Sequence, residues 1–292
     1  MAAASARTKR PKARFTCVIL NTTSSTMSRI DRITSAANPL LRDIRRAISR
    51  GEVVGDGLWM AEGFHLLEEV LHSQLPSPVI LAAEAHYARV DRLVGDYPDT
   101  RIVLLPNDLF PTIAATESSQ GVMTLIRPPQ WTLEQIFHGQ SLVLVLDGLQ
   151  DPGNAGAAVR AAEAFGATGI IFVKNSASPA NPKALRASAG SLFRIPFVSG
   201  LDAETVAAEL PRHQLGIYAA MPWTGSEPMA VDVDLTRRVA LIVGSEGRGI
   251  SEPLQAIASG IAIPTMGVES LNAAVAAAIL LYESRRQRRK TA

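Results

Sequence analysis

The sequence has almost no cysteine and no apolar run long enough for a membrane span. Its 292 residues include one cysteine, Cys17, which excludes an intramolecular disulfide framework and a cysteine-based zinc site. The longest apolar run, AAVAAAILLY, is too short to cross a bilayer, and FTCVIL is too short for the apolar part of a signal peptide. We therefore expect a cytoplasmic protein in a reducing compartment, without a membrane anchor.

Motifs of several common enzyme classes are also missing. The sequence contains no GK[ST] phosphate loop and no G-x-S-x-G elbow. A nucleotide-binding oxidoreductase needs a GxGxxG turn followed by an acid about twenty residues on, and that pair is not found. The five histidines are scattered without the spacing of metal ligands, so we expect no metal.

Positive charge is concentrated at the two ends of the chain, although the net charge is only +2. The first 30 residues contain lysines and arginines but no acid, and the chain ends in SRRQRRKTA. The opening segment fits a transit peptide, a basic RNA-binding arm or a disordered tail. It equally fits an extension from an upstream start, because ordered-looking sequence begins after Met27. We predict a basic, disordered tail over residues 1–28 and assign it no function.

Hydrophobic patterning predicts two folded domains. Between residues 29 and 126, amphipathic stretches such as NPLLRDIRRAIS alternate with short strand-like runs such as LWMAEG, which indicates a small α/β domain. Residues 127–139, RPPQWTLEQIFHG, bring two prolines and a polar spacer and are predicted to be a linker. A second α/β domain is predicted over residues 140–292.

The second half alternates apolar strands with helices more regularly than the first. Runs such as SLVLVLDGL, GIIFVK and RVALIVG are almost wholly apolar, and helical stretches such as AGAAVRAAEAF separate them. Continuous apolar strands between helices are typical of a parallel sheet covered on both faces. Ligands of such sheets bind beyond the carboxyl ends of the strands, and the polar clusters of this sequence lie at those ends.

The first polar cluster, DPGNAGAAVRAAEAF, follows the strand SLVLVLDGL. Its glycines would let backbone approach a ligand, and the exposed amides of a helix start suit an anionic group. Asn154 reads as the N-cap of that helix, which is a purely structural role. Arg160 is the unusual residue, because an arginine among alanines and valines extends to water, pairs with Glu163, or binds a ligand.

The second cluster, GSEGRG, also follows a strand. A plain tight turn is its simplest interpretation. Glu246 inside it would repel a phosphate, and therefore suits a positively charged or hydroxyl-bearing ligand.

The third cluster, GVESLNAAV, precedes the last helix. Ser270 reads as the N-cap of that helix, with Glu269 and Asn272 solvating its start. Three strand ends that each carry glycine with uncharged or acidic hydrogen-bonding residues are better explained by one composite site than by three separate turns and caps. The sequence therefore predicts a single site built from all three clusters.

Together these stretches resemble a known family. DPGNAGAAVRAAEAFGATGI, LIVGSEGRGIS and IAIPTMGVESLNAAVAAAILLYE have the order and spacing of the three motifs of the SpoU-TrmH family of RNA ribose 2′-O-methyltransferases, in the knotted SPOUT class. The likeness covers roughly residues 140–290. The N-terminal half resembles the ribosomal-protein-like substrate-binding domain of the family, through ANPLLRDIRRA, MAEGFHLLEEVL and QGVMTLI.

The resemblance implies a parallel-sheet domain with a deep trefoil knot, S-adenosylmethionine as the cofactor, and a homodimer with the active site near the subunit interface. The implied catalytic side chains are Asn154, Arg160, Glu246, Ser270 and Asn272. The implied cofactor contacts, mainly through backbone, are Gly244, Ile263 and Leu271. Thr265 and Ala273 stand where methionine and valine are common in the family, which should alter only pocket packing.

The resemblance implies that Arg160 acts as a general base, the role often assigned to the family arginine, but we hypothesise different roles. A guanidinium is nearly always protonated, so we expect Arg160 to bind the phosphate beside the target ribose and stabilise the developing alkoxide rather than to act as a base. The proton would go to phosphate or water. Asn154 and Ser270 would orient the hydroxyl, and Glu246 would hold that geometry or favour the cationic cofactor.

The implied function is S-adenosylmethionine-dependent methylation of a ribose 2′-hydroxyl in structured RNA, with ribosomal RNA favoured by analogy. The alternatives are a tRNA ribose 2′-O-methyltransferase and an RNA-binding protein of this fold without activity. A decayed site would lack one of the polar residues, and here the set is complete. The N-terminal domain also has four clustered arginines that track RNA phosphates or form a solvated face: Arg42, Arg45, Arg46 and Arg50.

Overall fold

The computed structural model describes residues 30–77, 79–95, 97 and 100–291. These residues form a five-stranded and a six-stranded sheet, one before and one after residue 140. The tail predicted over residues 1–28, with Cys17, lies outside the described residues and stays a prediction.

The first sheet is mixed. Its strands are β1 (Ile30–Arg32), β2 (Trp59–Glu62), β3 (Val79–Ala83), β4 (Arg101–Leu105) and β5 (Val122–Ile126), accompanied by the helices α1 (Pro39–Arg50), α2 (Phe64–His72) and α3 (Tyr87–Leu93). The strand order is β1-β4-β3-β5-β2, in which β1, β4 and β3 are parallel and β5 is antiparallel to both its neighbours. Strands and helices are therefore both present in this half, and its role as a separate domain stays a prediction.

The second sheet comes after the first in the chain, separated from it by the segment predicted as a linker. The strands are β6 (Leu142–Asp147), β7 (Gly169–Val173), β8 (Phe197–Leu201), β9 (Gly216–Met221), β10 (Val239–Gly244) and β11 (Ser259–Ala262). The helices are α4 (Leu133–Ile136), α5 (Pro152–Ala164), α6 (Pro182–Ser188), α7 (Ala203–Glu209), α8 (Glu252–Gln255) and α9 (Ala273–Thr291). All pairs in the order β11-β9-β10-β6-β7-β8 are parallel, which confirms the parallel sheet predicted from the apolar strands.

The two sheets are joined by a continuous interface. Trp59 of β2 stacks on Phe197 of β8 with ring centroids 5.9 Å apart, and both are buried in the core cluster that also contains the centre of the second sheet. Arg194 donates to Glu69 of α2 and, at 2.6 Å, to Glu163 of α5. Because apolar packing and charge pairs both cross the junction, the described residues form one folded body rather than two units on a free tether.

The close packing of α5 on α6 explains one glycine of the first motif. A Cβ at Gly156 would collide with the backbone oxygen of Ala184 and lie 2.7 Å from the Cβ of Ala187. The sequence interpretation gave the glycines of this motif to ligand approach. At position 156 that interpretation is wrong, because the glycine is required by helix–helix contact.

Some element boundaries differ from the pattern-based expectation. Strand β1 has three residues, and α3 buries Val90 alone among its described side chains, so neither left a clear periodic signal. The predicted linker contains α4, whose Ile136 is buried against the second sheet. The last helix begins at Ala273, later than the serine from which we expected it to start.

Candidate active site

A hydrogen-bonded triangle of polar side chains lies at the carboxyl edge of the six-stranded sheet. The Nδ2 atoms of Asn154 and Asn272 each donate to Oε1 of Glu246 over 3.1 Å. Asn272 also donates through Nδ2 to Oδ1 of Asn154, again over 3.1 Å. The three motifs are therefore joined by side-chain contacts, as the composite-site interpretation predicted.

Each member of the triangle is positioned by a different local structure. Asn154 stands in the first turn of α5, and the cap of that helix is Asp151, whose Oδ1 accepts from the Asn154 amide at 2.8 Å. Asn272 caps α9, because its Oδ1 accepts from the amides of Ala274 and Val275. The N-caps expected at Asn154 and Ser270 are thus wrong. Asp151, three residues before Asn154, caps α5, and Asn272, two residues after Ser270, caps α9.

Glu246 lies in a tight turn after β10. Ser245 and Gly249 exchange two backbone hydrogen bonds of 3.1 and 2.9 Å, and Gly249 has a φ of +68° that favours glycine. A Cβ at Gly244 would collide with the carbonyl carbon and oxygen of Gly249. The turn therefore requires glycine at position 244 for close backbone packing, and it presents Glu246 toward the other two motifs.

A cleft of about 340 Å³ opens beside the triangle. Its walls come from the chain that follows β9, β10 and β11, and they include the predicted residues Gly244, Glu246, Ile263, Ser270 and Leu271. Apolar side chains dominate, and the charged lining residues are Glu246 and Glu269, with no lysine, arginine or histidine among those described. Such a lining favours a cationic or neutral ligand with apolar parts and disfavours a polyphosphate.

A second crevice of about 400 Å³ lies against the triangle and also contacts Asn154 and Glu246. It is lined by the chain after β6, β7 and β10. Between β6 and β10 the order of strands along the chain reverses, which is where open parallel sheets usually bind ligands. The triangle therefore stands at the boundary between two open spaces.

The start of α5 is fixed by an ion pair. Lys183 of α6 donates to Oδ2 of Asp151 over 2.6 Å. This bond is the main cause that holds the pKa of Asp151 below its ordinary value, and the bond from the Asn154 amide is the second cause. Asp151 is therefore ionised at neutral pH, and it fixes the helix turn that carries Asn154.

Arg160 is the predicted site residue that the structure does not bring to the others. It is exposed on α5 and lines neither the cleft nor the crevice. The pairing with Glu163 that the sequence suggested is wrong, because Arg194 holds that carboxylate through two bonds of 2.6 and 3.0 Å. Within the described residues Arg160 has no ion pair, so its charge faces solvent in the single chain.

Sequence reasoning missed some lining residues of the cleft. Met221, Pro222 and Trp223 close the side that follows β9, and no motif marked them. Their signal was positional: they follow a strand of a parallel sheet and therefore lie at the same edge as the three polar clusters. The ion pair of Lys183 with Asp151 also had no signal in the sequence, because the two residues lie at the starts of different helices.

The described residues lack two further kinds of feature. No three histidine, cysteine or acidic side chains come together there as possible ligands of a metal ion. Likewise, each helix in that part of the chain is too short or too polar to cross a membrane.

Similarity to known proteins includes the residues of the triangle and the cleft. The sequence profile of the SpoU rRNA methylase family matches residues 141–282, which include the triangle and the cleft. An uncharacterised tRNA/rRNA methyltransferase of Synechocystis is 32% identical over 89% of this chain and 95% of its own length. The 23S rRNA (guanosine(2553)-2′-O)-methyltransferase RlmP of Bacillus subtilis is 31% identical over 87% of this chain and 98% of its own.

A solved structure is similar over most of the chain. The SpoU methyltransferase AviRb of Streptomyces viridochromogenes, in complex with the cofactor AdoMet, superposes with a TM-score of 0.75. The superposition covers 86% of this chain and 98% of that protein, at 24% identity. At this identity the likeness concerns the fold, and it extends over both sheets.

Proposed function

The chain belongs to the SpoU rRNA methylase family, and on that premise we propose that it transfers a methyl group from S-adenosylmethionine to a ribose 2′-hydroxyl of ribosomal RNA. The observation that carries this proposal is the triangle of Asn154, Glu246 and Asn272 at the boundary between two open spaces. Methyl transfer requires a donor and an acceptor held in line at close distance, and one space on each side of a rigid polar group meets that requirement.

The cleft fits the proposed cofactor. Its apolar walls suit an adenosine, and its two carboxylates suit a positively charged sulfonium and amino group, whereas a pyrophosphate would meet no cation there. Gly244, Ile263 and Leu271 would hold the cofactor mainly through backbone. When bound, S-adenosylmethionine supplies an electrophilic methyl group.

The triangle orients the acceptor. Glu246 accepts from the amides of both asparagines, which fixes the rotation of each amide and leaves little freedom for Asn154. We assign to Asn154 and Ser270 the hydrogen bonds that direct the 2′-hydroxyl, and to Glu246 and Asn272 the positioning of Asn154. A preorganised group of this kind lowers the reorganisation needed at the moment of transfer.

Arg160 enters the proposal through a second copy of the chain. Arg160 is exposed on α5, and directly after that helix Phe165 meets Tyr282 of α9 edge-on with ring centroids 5.7 Å apart. On α9 itself Val275, Ile279 and Tyr282 are 48%, 37% and 53% exposed and share one face of the helix. An apolar helix face of this kind supports a homodimer, in which Arg160 of one protomer contacts the RNA phosphate beside the site of the other.

The path of the chain supports the proposed trefoil knot. The connection of residues 222–238, between β9 and β10, lies along the outer edge of β11, where Ala262 donates to Pro228 and accepts from Ala230. After β11 the chain returns to Asn272 at the sheet centre, and Gln287 of α9 then donates to Val233 of that connection over 3.0 Å. A knot requires the chain end to pass through a preceding loop, and these contacts of β11 and α9 with the connection support that path.

Helix α1, in the first half of the chain, is proposed to bind RNA through its arginines. Arg42 and Arg46 stand one turn apart on the exposed face of α1, where they can contact successive phosphates. Arg45 is partly engaged, because it donates to the hydroxyl of Thr112 at 3.4 Å and to the carbonyl of Ala36. RNA rather than DNA is the acceptor because only RNA carries a 2′-hydroxyl, and we place the reaction in the cytoplasm.

The test uses purified protein and labelled S-adenosylmethionine, with total ribosomal RNA and total tRNA from cells that lack this gene as separate acceptors. Nucleoside mass spectrometry then identifies the modified product. We expect a 2′-O-methylated nucleoside in the ribosomal RNA. Incorporation into tRNA alone would change the substrate class, and cofactor binding without incorporation into either pool would support a binding protein of this fold.

A further inference from the structure

The crevice on the far side of the triangle differs from the cofactor cleft in charge. Two cations, Lys174 after β7 and Arg248 in the turn after β10, line the crevice, whereas the described lining of the cleft has none. Both side chains are exposed. The crevice therefore offers two cations to an anionic ligand, beside the carboxylates of Asp147, Asp151 and Glu246, whereas the described lining of the cleft offers none.

The acidic residues of the crevice are already engaged. Asp147 accepts from the Ser251 amide over 2.6 Å, and Asp151 accepts from Lys183 over 2.6 Å. Glu246 accepts from the two asparagines of the triangle. Lys174 and Arg248 form no ion pair with any carboxylate in the described part of the chain, although Asp202 is close enough to Lys174 for a weak electrostatic effect. Their charge therefore remains available to an anion from solution.

The crevice also lies near the N-terminal sheet. A Cβ at Gly51, which ends α1, would lie 2.7 Å from Nδ2 of Asn181, the cap of α6. Two residues further on, Lys183 contacts Asp151 on the wall of the crevice. The C-terminal end of α1 therefore lies against the first turn of α6, and that turn contacts the wall of the crevice.

We propose that Lys174 and Arg248 bind the phosphodiester groups that flank the target ribose, and that the crevice is the subsite for the acceptor nucleotide. This inference rests on the proposed function and deepens it. The phosphates would be held at the carboxyl ends of β7 and β10, and the ribose between them would face Asn154. The sequence-based hypothesis gave phosphate binding to Arg160. Within one protomer we give it to Lys174 and Arg248, because Arg160 does not line the crevice.

The test compares Lys174→Gln, Arg248→Gln and the double variant with Arg237→Gln. Arg237 is an exposed cation just before β10, at the opposite edge of the sheet, and it is the matched control. For each variant the RNA KM and kcat are measured at several salt concentrations, and the cofactor dissociation constant is measured by calorimetry.

We expect each crevice variant to raise the RNA KM several-fold and to lower kcat by a smaller factor. Each variant should also reduce the slope of log affinity against log salt concentration by about 1. Cofactor affinity should not change, and Lys174→Arg should restore most of the lost RNA affinity. If the wild-type protein methylates RNA while the crevice variants match Arg237→Gln in KM and salt slope, the subsite is wrong and the proposed function stands. A wild-type protein that binds the cofactor but transfers nothing would instead contradict the proposed function.

Discussion

The two sheets of this protein are similar in size but differ in strand direction. The six-stranded sheet is parallel throughout, so the carboxyl ends of its strands lie at one edge, where the three motifs meet. In the five-stranded sheet β5 is antiparallel to its neighbours, so strand ends are distributed over both edges. The three motifs, which are distant from one another in sequence, converge on the parallel arrangement.

This difference separates the roles of the two halves. The parallel sheet concentrates short polar side chains within hydrogen-bonding distance of each other, which is what chemistry at one atom requires. The mixed sheet offers exposed arginines on a helix, which suits an extended, charged partner. Changes to the triangle at the parallel edge should therefore affect the reaction itself. Changes to the exposed arginines of the first half, like those to Lys174 and Arg248, should affect RNA affinity.

The largest effect is expected from Asn154→Ala. Loss of one preorganised polar group should lower kcat by about 100-fold to 1,000-fold, while the cofactor dissociation constant changes little because Asn154 does not line the cleft. Methyl transfer kinetics and calorimetry measure the two quantities. Asn272→Ala is the informative comparison, since it should also cost about 1 kcal/mol of stability through the lost helix cap. A kcat within twofold of wild type for Asn154→Ala would remove this residue from the mechanism.

Gly244→Ala should disturb the fold of the site. The added Cβ would collide with backbone of Gly249, so we expect a loss of about 1–3 kcal/mol in the free energy of unfolding and weaker cofactor binding. Gly247→Ala in the same turn is the matched control, because a Cβ there meets nothing within 4 Å. Thermal denaturation and cofactor titration should separate the two variants, and equal behaviour would contradict the close-packing account.

Ile279→Arg tests the proposed homodimer. A charge on the exposed apolar face of α9 should convert the proposed dimer to a monomer and, if Arg160 acts across the interface, lower activity by about tenfold or more. Val53→Arg is the control, since Val53 is 40% exposed in the first half of the chain. Light scattering after size exclusion gives the oligomeric state. A monomeric variant with full activity would show that Arg160 has no role in a partner site.

Arg194→Met tests the coupling of the two sheets and should have the smallest effect. Its guanidinium contacts Glu69 of the first half and Glu163 of the second, and we expect a loss of about 1 kcal/mol, because the pair is partly exposed and screened by water. The RNA KM should rise modestly, with cofactor affinity unchanged. Arg212→Met, which breaks an exposed pair with Glu209 inside the second half, should change neither quantity.

The same pair has a defined pH dependence. Hydrogen bonding to Arg194 is the main cause that lowers the pKa of Glu163. A carboxyl with a lowered pKa stabilises the fold at pH above its ordinary value of about 4.3, and that stabilisation is lost as pH falls through the folded-state pKa. The melting-temperature difference between wild type and Arg194→Met should therefore be full at pH 7 and shrink below about pH 4. A difference that persists unchanged at low pH would indicate that packing, rather than charge, is what the substitution removes.

Much of the fold was readable from periodicity. The apolar strands of the second half and the amphipathic α1 and α2 are confirmed, because each repeats its buried positions several times. The missing elements, β1 and α3, are short and bury few side chains. The prediction of the helix caps was wrong for a different reason. Four residues near the two helix starts are good capping residues: Asp151, Asn154, Ser270 and Asn272. Only the backbone path decides which of them reaches the free amides.

Charge patterns were the least reliable guide. The basic end of the chain resembles a nucleic-acid tail, yet Arg288 of α9 donates to the carbonyls of Gln140, Ser141, Leu235 and Arg237, and Arg286 pairs with Glu283. Burial also lowers the pKa of Arg288. Part of this positive charge therefore holds the last helix against the sheet, which no linear pattern distinguishes from an exposed basic segment.

The sequence by itself determined that a parallel sheet forms in the second half and that three motifs would meet at one edge, because strand periodicity and chain direction are local properties. Tertiary structure decided that Asn154 and Asn272 share one oxygen of Glu246, that Gly156 serves helix packing, and that Arg160 stands apart from the cleft. Those facts depend on distances between segments separated by as many as 118 residues. Such distances are set by the packing of whole helices and strands, which residue types and spacing do not specify.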